Sequence, residues 1–358
     1  MSAPQSNAAT SRAPIASYDV VVVGAGFAGM YMLHRLRKMG LSARVYEQGS
    51  DVGGTWYWNR YPGARCDIES MQYSYSFSEE LQQEWQWTER YAPQPEILKY
   101  AQHVADRFNL RPDIQFNTRV ASAVFNEDTG RWTVTLGDGS RISAGFVVMA
   151  TGSLSNARTP DFKGLSSFKG ETYHTGHWPH EGVDFSGLRV GVIGTGSSAI
   201  QSIPVIAEQA KQLLVFQRTP NFSIPAHNHP LSEDYRQSWK SNYAELRRRA
   251  REETRNGVIG DIPDKGALDD APEDRQRRYE EKWARGGTSF MASYNNLAMD
   301  KAANDTASDF VRAKIASIVK APAIAKLLQP TNHPIGTKRI CVDTDYYATF
   351  NRPNVTLV

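Results

Sequence analysis

The sequence predicts an α/β protein with two Rossmann-like dinucleotide-binding domains and a helical insertion in the second of them. Three observations predict this fold. A β-branched run at 18–23 is followed by a glycine-rich turn at 24–29 and then by a helical pattern of apolar residues. The same order recurs at 189–199, with its first glycine 170 residues further along. Between 226 and 330 the sequence becomes charged and helix-prone, which is typical of helices that face solvent.

The first domain is expected at 18–152, after a flexible tail at 1–17. Its opening valine run is typical of a parallel strand that is buried on both faces. The helix that follows carries Met30, Leu33 and Leu36 on one face. The elements predicted after this helix are a strand at 43–46, a helix at 94–110, three short strands around Phe116, Val124 and Val134, and a buried strand at 146–149.

The second domain is expected in two parts, at 153–225 and at 331–358, separated by the helical insertion at 226–330. A strand at 189–193 leads into the second glycine-rich turn and a helix, and another strand follows at 213–217. The charge pattern predicts that the insertion is mostly solvated. The second part of the domain returns to short strands.

Glycines define both turns. The first glycine permits the tight turn, the second lets a pyrophosphate approach the backbone, and the third packs the helix against the strand. The helix N-terminus then offers N–H groups and a positive dipole end to the phosphates. These positions are Gly24, Gly26 and Gly29 in the first turn, and Gly194, Gly196 and Ala199 in the second.

The end of the second strand distinguishes the ligands of the two domains. Glu47 follows Gly24 by 23 residues, where a carboxylate accepts hydrogen bonds from free ribose hydroxyls and repels a 2′-phosphate. Arg218 follows Gly194 by 24 residues, where a guanidinium favours a 2′-phosphate. The first domain therefore suits FAD or NAD, and the second suits NADP. The alternative is that Glu47 and Arg218 are solvated strand ends.

Composition argues against several classes of protein. The 358 residues include 41 Lys and Arg against 38 Asp and Glu, a balance that gives no case for nucleic acid or an acidic membrane surface. No apolar run approaches the roughly 18 residues that cross a bilayer. The two cysteines, Cys66 and Cys341, are too few for a disulfide scaffold or an iron–sulfur cluster. We therefore expect a cytoplasmic protein without nucleic-acid or membrane partners.

A flavin and a nicotinamide in one chain predict hydride transfer from NADPH to FAD. Cys66 and Cys341 are far apart in the sequence, so no redox cysteine pair of a disulfide oxidoreductase is indicated. The acceptor left for the electrons is dioxygen, a quinone or a small electron carrier. Cys66 is either a redox thiol or, more simply, a packed neutral cysteine.

Two further motifs point to one of these acceptors. Residues 168–179 have the pattern FxGxxxHxxxWP, and residues 53–67 have the pattern GGxWxxxxYPGxxxD. Both resemble fingerprints of Baeyer–Villiger monooxygenases, flavoenzymes that insert oxygen beside a ketone carbonyl. Flavin monooxygenases that oxidise nitrogen and sulfur share the FxGxxxH part of the pattern. Trp178 and Pro179 are therefore the residues that distinguish the Baeyer–Villiger enzymes from them. The stretch 56–97 is similar to the phenylacetone monooxygenase branch, which implies aromatic or bulky ketones.

The resemblance also implies roles for the fingerprint residues, which are Phe168, Gly170, His174, Trp178 and Pro179. His174 matches a histidine that affects the coupling of the nucleotide domains, so we expect a hinge residue and not a base. His174 and His177 lack a third ligand at suitable spacing, and we therefore predict no metal site.

The remaining site residues are also implied by the resemblance. Arg339 is expected to be the catalytic arginine, with Asp67 as the carboxylate that orients it, because a permanently charged guanidinium can hold an anionic peroxide. On the residues alone, Lys338 and Arg339 would be a surface pair. The FAD residues are Gly24, Gly26, Phe27, Gly29, Glu47, Thr55, Trp56, Asp67, Tyr73 and Val120. The NADP residues are Arg65, Cys66, Gly194, Thr195, Gly196, Ser197, Ser198, Arg218, Thr219, Lys338 and Arg339.

The reaction implied is a ketone oxygenation. NADPH reduces FAD, O2 forms a C4a-peroxyflavin, and this attacks a small ketone to give an ester or lactone through a tetrahedral adduct. We expect a monomer or weak oligomer. Chains of this family normally continue past the equivalent of Val358, so we expect the sequence to lack the family's C-terminal part. The alternatives are an N- or S-oxygenating flavin monooxygenase, or a non-catalytic nucleotide-binding fragment if the chain ends at Val358.

Overall fold

A computed structural model of the protein describes residues 15–154, 156–254 and 257–358. Most of the tail predicted at 1–17 lies outside the described residues, although the first strand already includes 16 and 17. The strands are β1 Ala16–Val23, β2 Ala43–Tyr46, β3 Ile114–Gln115, β4 Val120–Asn126, β5 Arg131–Leu136, β6 Arg141–Met149, β7 Arg189–Ile193, β8 Gln212–Phe216, β9 Ser223–Pro225, β10 Cys341–Asp343 and β11 Val355–Leu357. The helices are α1 Phe27–Lys38, α2 Thr55–Trp58, α3 Glu79–Glu84, α4 Gln94–Arg107, α5 Ser197–Gln209, α6 Glu233–Lys240, α7 Tyr243–Glu252, α8 Pro272–Arg285, α9 Lys301–Ile318, α10 Pro322–Leu328 and α11 Tyr346–Thr349.

Backbone contacts divide the chain into two compact units. The first contains the chain up to Trp58 together with Leu98–Arg158, and the second contains Asn59–Ile97 and Thr159–Val358. The sequence analysis assigned 59–97 to the first dinucleotide-binding domain. Contacts group this segment with the second unit, because a backbone bridge joins Glu89 to Pro230 and the N–H of Arg90 donates to the carbonyl of His229 at 3.0 Å.

The first unit is built on one six-stranded sheet in the order β3-β2-β1-β6-β5-β4. Strands β3, β2, β1 and β6 are parallel to one another, and β5 is antiparallel to both of its neighbours. Val21 and Val22 on β1 are fully buried on opposite faces, as expected for a central parallel strand. Helix α1 packs Met30 and Leu33 against the face that holds Val22. The carboxyl ends of β1 and β2 therefore meet the N-terminus of α1 at one edge of this sheet.

The second unit contains a three-stranded parallel sheet, β11-β8-β7, and a parallel pair of strands, β10-β9. Helix α5 connects β7 to β8 and packs Ile203 and Ala207 against a core that includes Leu213 and Val215. This is the second strand–helix–strand unit predicted from the sequence. Both units thus have the α/β architecture that the two glycine-rich turns predicted, and the predicted fold class is confirmed.

The segment between β9 and β10 is helical, as predicted, and contains α6 to α10. Its charged residues form ion pairs along exposed helix faces, such as those of Arg248 with Glu245. The insertion also has a buried aromatic cluster in which the rings of Phe290 and Phe310 stack 5.8 Å apart and Trp283 lies 6.0 Å from Phe310. Charged residues are frequent in this stretch, so the charge pattern predicted solvated helices. The structure shows that these helices also share a buried aromatic core.

Within the described ranges, no helix is long and apolar enough to span a membrane.

Candidate functional site

The first glycine-rich turn is shaped by contacts within the protein. Gly24 has a φ of +101°, and a Cβ added there would lie 2.7 Å from the carbonyl oxygen of Ala150. A Cβ added to Gly29 in α1 would lie 1.9 Å from the carbonyl oxygen of Gly24. A side chain at either position would therefore push the helix away from the strands.

Glu47 lies directly after β2, and its carboxylate fixes the turn. Oε2 accepts a 2.7 Å hydrogen bond from the backbone N–H of Ala25, and Oε1 accepts one of 2.7 Å from the N–H of Gly49. The residue is only 6% exposed. Each carboxylate oxygen has a second lone pair, so Glu47 can still accept a hydrogen bond from a ribose hydroxyl.

Other predicted FAD residues surround this turn. Gly54 approaches it closely, because an added Cβ would lie 2.9 Å from the Cα of Gly26. Thr55 and Trp56 follow Gly54 in α2, and Phe27 begins α1. The segment that leads to Val120 is tied to the end of β2, since the N–H of Thr118 donates to the carbonyl of Glu47 at 2.8 Å. Tyr73 belongs to the second unit.

The glycines of the second turn have free space around them, whereas Gly24 and Gly29 of the first turn are closely packed. A Cβ added at Gly194 or Gly196 would meet no described protein atom within 4 Å. Gly196 is the N-cap residue of α5 and has no side chain, so no side chain caps the first turn of this helix. The Thr195 hydroxyl donates to the carbonyl of Thr219 at 2.9 Å and ties the turn to the chain after β8. Backbone N–H groups and open space at a helix N-terminus are the features that a dinucleotide pyrophosphate requires.

Two basic segments of the second unit come together beside this turn. Arg218 is exposed just after β8, and Lys338 and Arg339 are exposed just before β10. The Asn221 side chain donates to the carbonyl of Arg339 at 3.1 Å. The Ser197 hydroxyl at the start of α5 lies 3.3 Å from the Cys341 thiol. These contacts hold the return segment against the start of α5.

Arg339 forms an ion pair with Asp67, although 272 residues separate them in the chain. The Arg339 Nη2 atom donates to Asp67 Oδ2 at 2.8 Å. The side chain of Asp67 is 10% exposed and that of Arg339 is 72% exposed. Burial raises the pKa of Asp67, and the guanidinium opposes this effect. A fixed carboxylate thus holds a solvent-facing cation in place, which is an arrangement that can stabilise an anion.

The two cysteines are buried. Burial raises the pKa of Cys66 to about 12 and also raises the pKa of Cys341. Neither thiol has the lowered pKa of a reactive cysteine, so the packed interpretation of Cys66 fits the structure.

Arg65 and Cys66, predicted to contact NADP, line a cavity of about 280 Å³ that also contacts Gln201 and Val342. The guanidinium of Arg65 donates to Glu89 and to the carbonyl of Tyr91. The cavity lining includes neither glycine of the second turn. The structure therefore places Arg65 and Cys66 beside Gln201 of α5.

The WP fingerprint is a packing element. Trp178 is buried in the core of the second unit, with ring centroids 5.6 Å from Tyr173 and 6.2 Å from Phe185. Nδ1 of His174 accepts a 3.0 Å hydrogen bond from the N–H of Gly176, so it caps a short 3₁₀ helix. Phe168 is exposed, and its ring covers Gly170. Among the residues with described positions, no group of three potential metal ligands is found.

Tyr61 and Gln201 belong to the same site but were not singled out by sequence. The Tyr61 hydroxyl donates to Gln201 Oε1 at 3.0 Å. Tyr61 lies inside the 53–67 motif, which is the signal that could have marked it. Gln201 occupies an ordinary helical position with no signal of its own.

Several known proteins are similar to this chain over most of its length. The flavin-binding monooxygenase-like family matches residues 17–228. A Baeyer–Villiger monooxygenase of Pseudooceanicola batsensis is 43% identical over 348 residues, which cover 96% of this chain and 63% of that protein. A phenazine N-monooxygenase of Lysobacter antibioticus is 44% identical over 347 residues, covering 95% of this chain and 63% of that protein.

Solved structures agree with the sequence relatives. The structure of an oxidised steroid monooxygenase bound to NADP superposes with a TM-score of 0.92 and 58% identity, covering 96% of this chain and 65% of that one. The chain thus spans a little under two thirds of the length of these relatives.

Proposed function

The chain belongs to the flavin-binding monooxygenase-like family, and we propose that it performs Baeyer–Villiger oxygenation with FAD, NADPH and O2. This reaction inserts one oxygen atom beside a ketone carbonyl and gives an ester or lactone. One observation carries the proposal: the open dinucleotide turn and the Asp67–Arg339 pair lie in one compact unit, joined through Ser197 and Cys341. The WP dipeptide at 178–179 and the Baeyer–Villiger relative support the same choice.

FAD is assigned to the first turn. Gly26 is the N-cap residue of α1 and no side chain caps this helix, so the N–H groups at the start of α1 would bind the pyrophosphate. Glu47 would accept hydrogen bonds from the ribose, and Thr55 and Trp56 would contact the flavin side of the cofactor. A carboxylate as buried as Glu47 disfavours a 2′-phosphate, so FAD fits this turn and NADP does not.

NADP is assigned to the second turn. The N–H groups at the start of α5 would bind the pyrophosphate, and Ser197 and Ser198 would add hydroxyl donors. Arg218, Thr219 and Lys338 would bind the 2′-phosphate, because exposed cations beside a strand end are matched to its charge.

Bound FAD and NADPH supply oxygen activation and the hydride. The protein's own contribution is charge placement by Arg339, which would bind the negative oxygen that develops when the ketone carbonyl is attacked. Asp67 would keep the guanidinium aimed at that position, since its buried carboxylate has little freedom to move. His174 would act as a hinge residue and not as a base.

The proposed partners are a small ketone and O2. Two unpaired thiols fit a reducing cytoplasm, and we propose a cytoplasmic monomer or weak oligomer.

The test is mass spectrometry of the products from a ketone panel supplied with NADPH, O2 and the FAD-loaded protein. An ester or lactone with one added oxygen supports the proposal. In Arg339→Ala we expect ester formation to fall at least about 100-fold, as when a catalytic charge donor is removed, while NADPH still reduces the flavin. Arg277→Ala is the matched control, because Arg277 is also exposed and paired with one aspartate, Asp274. Unchanged ester formation in Arg339→Ala would refute the assigned role.

The second candidate function is N-oxygenation, which the phenazine N-monooxygenase relative favours. The same assay with a phenazine decides between the two. An N-oxide from phenazine, with no ester from any ketone, would replace the Baeyer–Villiger proposal.

A further inference from the structure

The loop that carries Asp67 contacts Gln201 of α5 through both the side chain and the backbone of that residue. The Tyr61 hydroxyl donates to Gln201 Oε1 at 3.0 Å, and Gln201 Nε2 donates to the carbonyl of Arg65 at 3.0 Å. Gly63 has a φ of +75°, and a Cβ added there would lie 2.3 Å from the carbonyl oxygen of Gln201. The side chain and the backbone of Gln201 thus contact the loop at three points within five residues.

The same loop also contacts the first turn of α5. Burial raises the pKa of Tyr61, and a hydrogen bond with the Ser198 side chain opposes this effect. Ser198 is the second residue of α5, where we place the dinucleotide pyrophosphate. The Tyr61 hydroxyl therefore donates to Gln201 and lies beside Ser198 at the proposed phosphate site.

Both the side chain and the backbone of Arg339 are hydrogen-bonded, and each of the two partners belongs to a segment that contacts α5. Its guanidinium is bound by Asp67 at the end of the loop. Its backbone carbonyl is bound by Asn221, which also donates to the Cys341 thiol that lies beside Ser197. The loop and the return segment thus share α5 as their common support.

We propose that Gln201 is a positioning residue that couples dinucleotide binding at the start of α5 to the orientation of Arg339. This inference rests on the proposed function. The amide of Gln201 uses its oxygen for Tyr61 and its nitrogen for the carbonyl of Arg65, so neither leucine nor glutamate can replace both bonds. Without these two hydrogen bonds the loop is no longer fixed against α5. Asp67 then no longer has the position from which it binds Arg339.

The first measurement is the ester formed per NADPH consumed in the FAD-loaded protein. In Gln201→Leu we expect this ratio to fall about tenfold, the effect of losing one or two hydrogen bonds. The remaining NADPH and O2 would give NADP⁺ and hydrogen peroxide, which balances the electrons. NADP⁺ should still bind, because the N–H groups at the start of α5 are untouched, and its dissociation constant should change by no more than the factor by which NADP⁺ protects 61–67 in wild type. Gln201→Glu keeps only the acceptor for Tyr61. Its ratio of ester to NADPH should lie between those of wild type and Gln201→Leu.

Ser202→Ala is the matched control. Ser202 is a buried polar residue of the same helix, and its hydroxyl donates only to the carbonyl of Ser198. We expect this variant to keep the wild-type ratio of ester to NADPH. Equal ratios in Gln201→Leu and wild type would overturn the inference, as would a loss in Ser202→Ala equal to that in Gln201→Leu.

A second measurement does not depend on oxygenation. NADP⁺ should increase protection from hydrogen exchange at 61–67 in wild type and in Ser202→Ala, but not in Gln201→Leu. If wild type forms no ester but shows this protection, the proposed function fails and the coupling stands. If NADP⁺ binds and protection at 61–67 is the same in Gln201→Leu and wild type, the coupling fails whatever the reaction is.

Discussion

The two glycine-rich turns have nearly the same sequence pattern but differ in why they need glycine. In the first turn, a Cβ at Gly24 would lie 2.7 Å from the carbonyl oxygen of Ala150, so the protein's own packing requires glycine. In the second turn, a Cβ at the equivalent Gly194, or at Gly196, would meet no described atom within 4 Å. Packing does not require glycine at Gly196, and the space in front of it suits a ligand.

The third position of the motif shows the same difference. Ala199 replaces the glycine that Gly29 supplies in the first turn, and α5 accommodates its methyl group beside the core of the second unit. A GxGxxG pattern therefore combines a packing requirement and a binding requirement, and the two turns of this chain separate them. Four predictions test that separation.

Gly29→Ala should have the largest effect. Its Cβ has no room beside Gly24, so we expect a loss of at least about 3 kcal/mol in the free energy of unfolding, at the upper end for overpacking, together with loss of bound FAD. Thermal unfolding and flavin absorbance measure both. The reciprocal change, Ala199→Gly, should cost only about 1 kcal/mol, the usual helix penalty of glycine. Equal losses in the two variants would show that the turns do not differ in packing.

Arg218→Gln should have the next largest effect, on cofactor preference. Removing one charge-assisted contact to the 2′-phosphate should weaken NADPH binding by about 10- to 100-fold and leave NADH binding unchanged. Lys211→Gln, which removes an exposed cation just before β8, is the control. Titration of each variant with NADPH and with NADH measures the two dissociation constants. A parallel loss for NADPH and NADH would mean that Arg218 does not contact the 2′-phosphate.

Gly196→Ala should affect binding more than folding. The added methyl group occupies space assigned to the pyrophosphate, so we expect NADPH affinity to fall about tenfold, as for modest overpacking. The free energy of unfolding should fall by about 1 kcal/mol or less, because alanine is only a poor N-cap residue. Gly260→Ala, in the same unit and with room for its Cβ, should leave both quantities unchanged. Wild-type NADPH affinity in Gly196→Ala would place the pyrophosphate elsewhere.

The smallest effect should be on the pH dependence of ester formation, and it concerns the Asp67–Arg339 pair of the second unit. Because burial raises the pKa of Asp67 above 3.8, the folded protein binds this proton more readily than the unfolded chain does. Ionisation of Asp67 therefore lowers stability as the pH rises through its raised pKa, and ester formation needs that ionised form. We expect ester formation to decline on acidification at a pH above 3.8.

Asp67→Asn should remove that acidic decline and lower ester formation throughout. At neutral pH it should not destabilise the fold, because the exposed Arg339 stays hydrated. The pH profiles of both proteins, with thermal unfolding at each pH, make the comparison. An acidic decline that persists unchanged in Asp67→Asn would assign it to another group.

Sequence predicted both strand–helix–strand units because each depends on contacts between near neighbours in the chain. Glu47 and Arg218 lie after β2 and β8, as the spacing from each first glycine required. The motif-based resemblance is confirmed at the level of the family. The pairing of Asp67 with Arg339 came from that resemblance and not from any pattern, since no periodicity connects residues 272 positions apart.

The parts that sequence did not predict depend on long-range packing. The grouping of 59–97 with the second unit rests on long-range contacts such as the backbone bridge between Glu89 and Pro230, which composition does not indicate. The role of Gln201 rests on two hydrogen bonds to a distant loop, and a glutamine on a helix carries no such signal. The aromatic cluster of the insertion was concealed by the charges on its outer faces.

Glu47 also has a consequence for the kinetics of cofactor loading. Its carboxylate already holds the N–H groups of Ala25 and Gly49, so the first turn is organised before any nucleotide arrives. A preorganised turn pays little conformational entropy when it binds. Reconstitution of the apoprotein with FAD should therefore proceed as one bimolecular step, with a rate that rises in proportion to the FAD concentration and without a slow phase of local ordering.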